Sequence, residues 1–183
     1  PVTFADVDVF RLDVAGTYTL LAEPRVWTTQ YYGTASYSFV VQQVPDPAAN
    51  DIALGQDVAG GIALAGQQVT YAFDVDSTKR VYFDALTNNG AMRWSLAGPR
   101  GSVVLNRTFT TSDSADGLSV MELRAGSYRL TIDGAGDATG NFGFRLMDLA
   151  AADELILGTD TSGTLDASNA TALYRFDAQP GER

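Results

Sequence analysis

The chain has 183 residues, 45% of them hydrophobic, which is enough for a packed core. It contains no histidine and no cysteine, which excludes a Ser-His-Asp triad, a Cys-His dyad, disulfides and zinc sites of the usual kind. Its 22 acids outweigh 12 bases for a net charge of −10, a balance that repels nucleic acid and anionic lipid, and it has no apolar run of the ~18 residues a membrane span needs.

In chain order, period-two alternation recurs. Tyr18, Leu20 and Ala22 form the first apolar set and Tyr71, Phe73 and Val75 the second. Met92, Trp94 and Leu96 follow, then Tyr128, Leu130 and Ile132, then Phe142, Phe144 and Leu146. Each reads as a strand with one face in a core and one in water, and Trp94 as core. Asn88-Asn89-Gly90, Gly98-Pro99-Arg100-Gly101, Asp116-Gly117 and Asp133-Gly134 punctuate them as turns. No helix is predicted, and Leu149 to Leu157 reads as a linker into a strand. The acids are 18 Asp against 4 Glu and the bases 11 Arg against one Lys. That bias, with 18 Thr and 18 Gly, suits strands and turns rather than exposed helices.

The chain also repeats itself. Ala15-Gly16-Thr17-Tyr18-Thr19-Leu20 returns as Ala125-Gly126-Ser127-Tyr128-Arg129-Leu130, and Tyr37-Ser38-Phe39 as Phe142-Gly143-Phe144. Asp51–Gly55 returns as Glu154–Gly158, and Tyr71-Ala72-Phe73-Asp74 as Tyr174-Arg175-Phe176-Asp177. The first two offsets are 110 and 105, and the last two are both 103. The stretch 81–107 occurs once. One complete repeat is therefore expected over 50–150, the back part of a preceding one over 1–49 and the front part of a following one over 151–183. The chain is expected to sample a longer tandem array, or to pair through its terminal pieces with other copies of itself. The expected fold is all-β: tandem jelly-roll sandwiches, one complete with about 8 or 9 strands and two partial.

Asp6-Val7-Asp8-Val9-Phe10-Arg11-Leu12, followed by Ala15-Gly16-Thr17-Tyr18-Thr19-Leu20, resembles the bacterial pre-peptidase C-terminal domain. The runs Leu157–Thr159, Ser162–Leu165 and Leu173–Phe176 look like the opening of such repeats in very large secreted or surface proteins. Asp133–Phe144 looks like their closing hairpin. The resemblance implies a jelly-roll sandwich, an extracellular or bacterial cell-surface setting, and a non-catalytic role beside enzymes or within adhesins. Some family members bind calcium or polysaccharide.

Candidate sites follow from residue type. Asp133, Asp137 and Asn141 offer hard oxygen ligands within one glycine-rich loop, suited to Ca²⁺ if backbone carbonyls complete the shell. The same residues suit a tight Asp-Gly hairpin turn. Asp6 and Asp8, two apart, share one strand face and suit a bridging cation or an edge guard against aggregation. Asp74 and Asp76 repeat that spacing. The loop between Leu20 and Tyr37 holds 16 residues against 11 in its second copy, and carries Arg25, Trp27, Gln30, Tyr31 and Tyr32. These suit a local satellite core, a protein or inter-repeat contact, or a sugar stacked on the rings. No pair among the 22 acids is singled out as catalytic. The leading expectation is a non-catalytic structural and adhesive repeat module of a large extracellular protein, fibre-forming and stabilised by calcium. The alternative is a carbohydrate-binding or accessory module of a secreted hydrolase.

Overall fold

The computed structural model describes residues 9–22, 36–113, 120–165 and 170–181. The chain divides into two compact units, Pro1–Val44 and Pro45–Arg183. The second carries the strands: β1 (Ala49–Asp51), β2 (Val58–Ile62), β3 (Gln68–Val75), β4 (Lys79–Ala85), β5 (Met92–Gly98) and β6 (Gly101–Thr108). Then come β7 (Val120–Leu123), β8 (Gly126–Gly134), β9 (Gly140–Asp148), β10 (Asp153–Glu154) and β11 (Tyr174–Arg175). The helical content among the described residues is two 3₁₀ turns, Phe109–Thr111 and Leu149–Ala151.

Nine of these strands build a two-layer sandwich between Ala49 and Asp148. One sheet runs β1-β3-β8-β5-β6 and the other β2-β9-β4-β7. The pairings are antiparallel except β1 with β3, which is parallel. Most connections cross from one sheet to the other, and only β5–β6 joins sequential neighbours of one sheet. The all-β sandwich expectation and its strand number therefore hold.

The alternating apolar residues point inward as predicted. Tyr71, Phe73, Trp94, Leu96, Tyr128, Leu130 and Ile132 from one sheet meet Phe83, Phe142, Phe144 and Leu146 from the other in a single buried cluster. The Trp94 and Phe83 rings stack across the layers with centroids 4.0 Å apart, and Phe144 also stacks with Phe83 at 5.3 Å. Offset stacking adds about 0.5–1.5 kcal/mol per pair beyond the area buried. The one polar atom of Trp94 is satisfied: its Nε1 donates to Ser112 Oγ at 2.7 Å, and that hydroxyl donates to the Thr108 carbonyl at 2.7 Å. Gly98 lies against the Tyr128 ring, where a Cβ would come within 2.3 Å of a ring carbon. Its lack of a side chain lets β5 pass over that ring.

Two local expectations are corrected. Asp133-Gly134 closes β8 rather than forming a turn; the turn follows at Ala135–Asp137. And β8 and β9 belong to different sheets, so Asp133–Phe144 is a corner between layers and not a hydrogen-bonded hairpin. The reason is that β8 already has β3 and β5 on its two edges, and β9 has β2 and β4.

The Pro1–Val44 unit has no strand among its described residues, 9–22 and 36–44. The expected strand at Thr17–Ala22 is thus not formed, and Tyr18, Leu20, Tyr37 and Phe39 are exposed. Their counterparts in the sandwich, Tyr128 and Leu130 on β8 and Phe142 and Phe144 on β9, are buried. Alternation supplies a face for a core, and a strand forms only where another strand takes up its main-chain groups.

Candidate functional site at the joint between repeats

The segment after the sandwich begins the same way the sandwich does. β10 pairs in parallel with β11, with Asp153 opposite Tyr174 and Glu154 opposite Arg175. Shifted by 103 residues, these are the β1–β3 pairs Asn50 with Tyr71 and Asp51 with Ala72. The Leu155 N–H donates to the Arg175 carbonyl at 2.7 Å, as Ile52 donates to Ala72 at 3.0 Å. The Thr159 N–H donates to Ile156 at 3.2 Å, as Gln56 donates to Ala53 at 3.2 Å. Gly158 takes φ +80° where Gly55 takes +82°, a conformation that favours glycine. In the N-terminal unit the Tyr18 hydroxyl donates to the Val14 carbonyl, as Tyr128 donates to Arg124 110 residues on. The sequence repeat is therefore also a repeat of backbone hydrogen bonds.

The joint itself is built on β4 and β9. Val81, Phe83 and Ala85 face the core, so Tyr82 and Asp84 face away from it, yet both are buried. The stretch around Thr171 covers them. Asp84 and Arg145 are directly opposite in the β4–β9 register. Asp84 Oδ2 accepts from Arg145 Nε at 3.0 Å and Nη2 at 2.5 Å, and from the Thr171 N–H at 3.3 Å. Arg145 Nη2 also donates to the Thr171 carbonyl at 3.1 Å. The Tyr82 and Thr171 hydroxyls are 3.2 Å apart. Asp57 lies 3.4 Å from Arg145 Nε at the exposed rim. A fully buried carboxylate is retained only when paired and hydrogen-bonded. Here the pairing does two jobs, cross-linking β4 to β9 and gripping the main chain of the following segment. The other Asp84 oxygen, Oδ1, is buried with no hydrogen-bond partner among the described residues.

A second contact sets the exit from β9. Lys79 Nζ donates to Asp148 Oδ2 at 3.0 Å and lies 3.5 Å from Asp76. The other Asp148 oxygen accepts from the Ala150 N–H at 3.0 Å, capping the 3₁₀ turn that leads into β10. Hydrogen bonding to Asp148 and the two carboxylate charges raise the Lys79 pKa, in that order. The Ser77 hydroxyl, then the Lys79 charge, lowers that of Asp76.

The residues singled out from the sequence fall elsewhere. Asp133 stands opposite Gln68 and Arg93, and its Oδ2 accepts from Gln68 Nε2 at 2.9 Å. Asp137 is exposed in the corner turn, and Asn141 is the second residue of β9, opposite Gly61. All three belong to one corner loop. Among the described residues no three His, Cys, Asp or Glu side chains converge as a metal cluster. Asp6, Asp8, Arg25, Trp27, Gln30, Tyr31 and Tyr32 lie outside the described residues. Asp74 is exposed on β3 and Asp76 is engaged with Lys79. Sequence reasoning missed Asp84 and Arg145. The signal was present in Val81-Tyr82-Phe83-Asp84-Ala85, a strand without alternation and so buried on both faces.

No protein-family model and no curated protein matches this chain. Solved structures similar in form include the following three. The pre-peptidase C-terminal domain of a Bacillus anthracis collagenase is 17% identical with a TM-score of 0.44, over 57% of this chain and 99% of its own. PliG of Salmonella Typhimurium, a periplasmic inhibitor of g-type lysozyme, is 18% identical at 0.42, over 55% and 97%. A mutant of the Escherichia coli PliG is 19% identical at 0.41, over 56% and 96%.

Proposed function

We propose that this chain is a non-catalytic structural module of a tandem β-sandwich array, with residues 50–150 as one complete repeat. Residues 1–49 then belong to a preceding repeat and 151–183 to a following one. The observation that carries the reading is the β10–β11 pairing, which reproduces β1–β3 residue for residue 103 positions on. The joint supports it, because Asp84 and Arg145 bind the following segment through its main chain. The role is mechanical: the sandwich is the stiff element and the joint fixes how the next one begins. An extracellular setting fits the acidic, cysteine-free composition. The adhesive part of the reading rests on the sequence resemblance.

The test is autonomy in series. Residues 45–152 alone should unfold in one cooperative transition. Two such repeats in tandem, pulled from their ends, should each release about 36 nm of contour for ~100 residues at ~3.6 Å each. Non-cooperative melting of 45–152, or a single fused rupture of the pair, would overturn the reading.

A further inference from the structure

The repeat shows what the exposed apolar segments are shaped to meet. In the complete repeat β3 lies against β8, with Tyr71 opposite Leu130 and Phe73 opposite Tyr128. The Phe73 and Tyr128 rings stack at 5.4 Å, and Tyr71 meets Phe142 and Phe144 edge-on at 6.3 and 5.3 Å. Every one of these side chains is at most 6% exposed. Their counterparts by the repeat offsets are all in this chain. Tyr174 and Phe176 match Tyr71 and Phe73; Tyr18 and Leu20 match Tyr128 and Leu130; Tyr37 and Phe39 match Phe142 and Phe144. These six are 45–63% exposed.

We propose that the Tyr174–Phe176 strand of one copy takes up the Ala15–Leu20 and Tyr37–Phe39 segments of a second copy, in the arrangement β3 makes with β8 and β9. The inference rests on the repeat reading and names its partner. Register follows by arithmetic: Tyr174 opposite Leu20, Arg175 opposite Thr19, and Phe176 opposite Tyr18. The side chains supply about half of the area a specific interface needs. An aromatic side chain brings about 150–250 Å². Taking six residues from about half exposed to buried covers roughly 600 Å², half of the ~1,200 Å² at which specific interfaces begin, before any main chain is counted. The main-chain groups gain as well, since among the described residues β11 pairs on one edge, with β10, and an open edge accepts a strand.

The chain has no cysteine, so one can be placed at will. Copies carrying Thr19→Cys are mixed with copies carrying Arg175→Cys and oxidised. Opposed strand residues lie about 4.5–5.5 Å apart, within disulfide reach, so a mixed dimer should form. Thr17→Cys, which the register sets opposite Asp177, should cross-link to Arg175→Cys poorly. Light scattering of the parent chain should show mass rising with concentration. Tyr174→Ala with Phe176→Ala should weaken that association about tenfold or more, as loss of buried aromatic anchors does. Both side chains are exposed in the single chain, so its melting midpoint should not move. A monomer at every concentration, association untouched by the double substitution, or equal cross-linking at Thr17 and Thr19 each overturns the proposal. None of these touches the module reading, since 45–152 contains neither segment.

Discussion

Asp84→Ala is the sharpest test of the joint. The substitution removes the acceptor of three hydrogen bonds, two from Arg145 and one from the Thr171 N–H. It leaves a guanidinium that is only 21% exposed without its buried partner. Hydrogen bonds to a charged group contribute about 1.5–3 kcal/mol each, but the fully buried carboxylate was itself costly to desolvate, and Oδ1 recovers nothing. Breaking one side of such a pair costs about 3–5 kcal/mol net. For a repeat of ~100 residues each kcal/mol lowers the midpoint by about 4–8 °C, so a fall of at least about 12 °C is expected by calorimetry. Replacing both partners, Asp84→Leu with Arg145→Met, should recover most of the loss, because two well-packed apolar side chains have no charge to strand. In a chain ending at Ala152 the Thr171 contact is gone, so Asp84→Ala should cost less there by about 1 kcal/mol or more. A single-variant loss below about 1 kcal/mol, or the same loss with and without residues 153–181, would refute the assigned role.

Gly98→Ala drives a methyl into the Tyr128 ring and should cost about 1–3 kcal/mol in urea titration as overpacking. A neutral result would mean that β5 and β8 can move apart freely. Lys79→Met should remove the Lys79 contribution to the alkaline limb of the midpoint-against-pH curve and lessen the acid limb, where the Ser77 hydroxyl holds Asp76 down more than Lys79 does. The folded Lys79 pKa is raised, so its contribution is complete below the ordinary lysine range and lost as pH climbs through the raised value. The folded Asp76 pKa is lowered, so its contribution is present above the ordinary carboxylate range and lost as pH falls through the lowered value. Unchanged limbs would remove Lys79 as their source. If the corner loop of Asp133, Asp137 and Asn141 holds calcium, millimolar Ca²⁺ raises the midpoint over that in chelator, since a ligand of the native state alone must stabilise it. Identical midpoints would strike those three residues from the ligand set.

The core was legible because its rule is local. Tyr71 to Val75 and Tyr128 to Ile132 alternate, and alternation alone decides which side chains face inward. The sheet assignment was not legible at Asp133–Phe144. Two strands joined by a glycine-rich turn look like a hairpin in sequence, and only the occupied edges of β8 and β9 forbid it. Thr17–Ala22 shows the converse failure. Its pattern is that of β8, but a strand needs neighbours, and pattern carries no information about whether they are at hand. The joint escaped notice because Asp84 and Arg145 are 61 residues apart and their meeting depends on pairing register. One Asp among 18 gives no reason to be chosen. The calcium and aromatic-loop expectations rest on side-chain type alone, and the aromatic loop lies outside the described residues.

The grip on Thr171 has a consequence for how an array could change over time. Asp84 takes a peptide N–H and Arg145 a peptide carbonyl, and every residue but proline offers both. The ionic part of the link thus reads the course of the polypeptide, and only the Tyr82–Thr171 hydroxyl contact depends on which amino acid occupies the position. In the proposed array, copies that keep the acid and base could drift in sequence at this position and stay compatible, whereas at the offset of 105 the preceding copy carries Val40 in place of Arg145 and would lack this grip. Compatibility would then be tested by Thr171→Pro against Thr171→Val: both remove the hydroxyl that meets Tyr82, and only proline also deletes the N–H that Asp84 accepts.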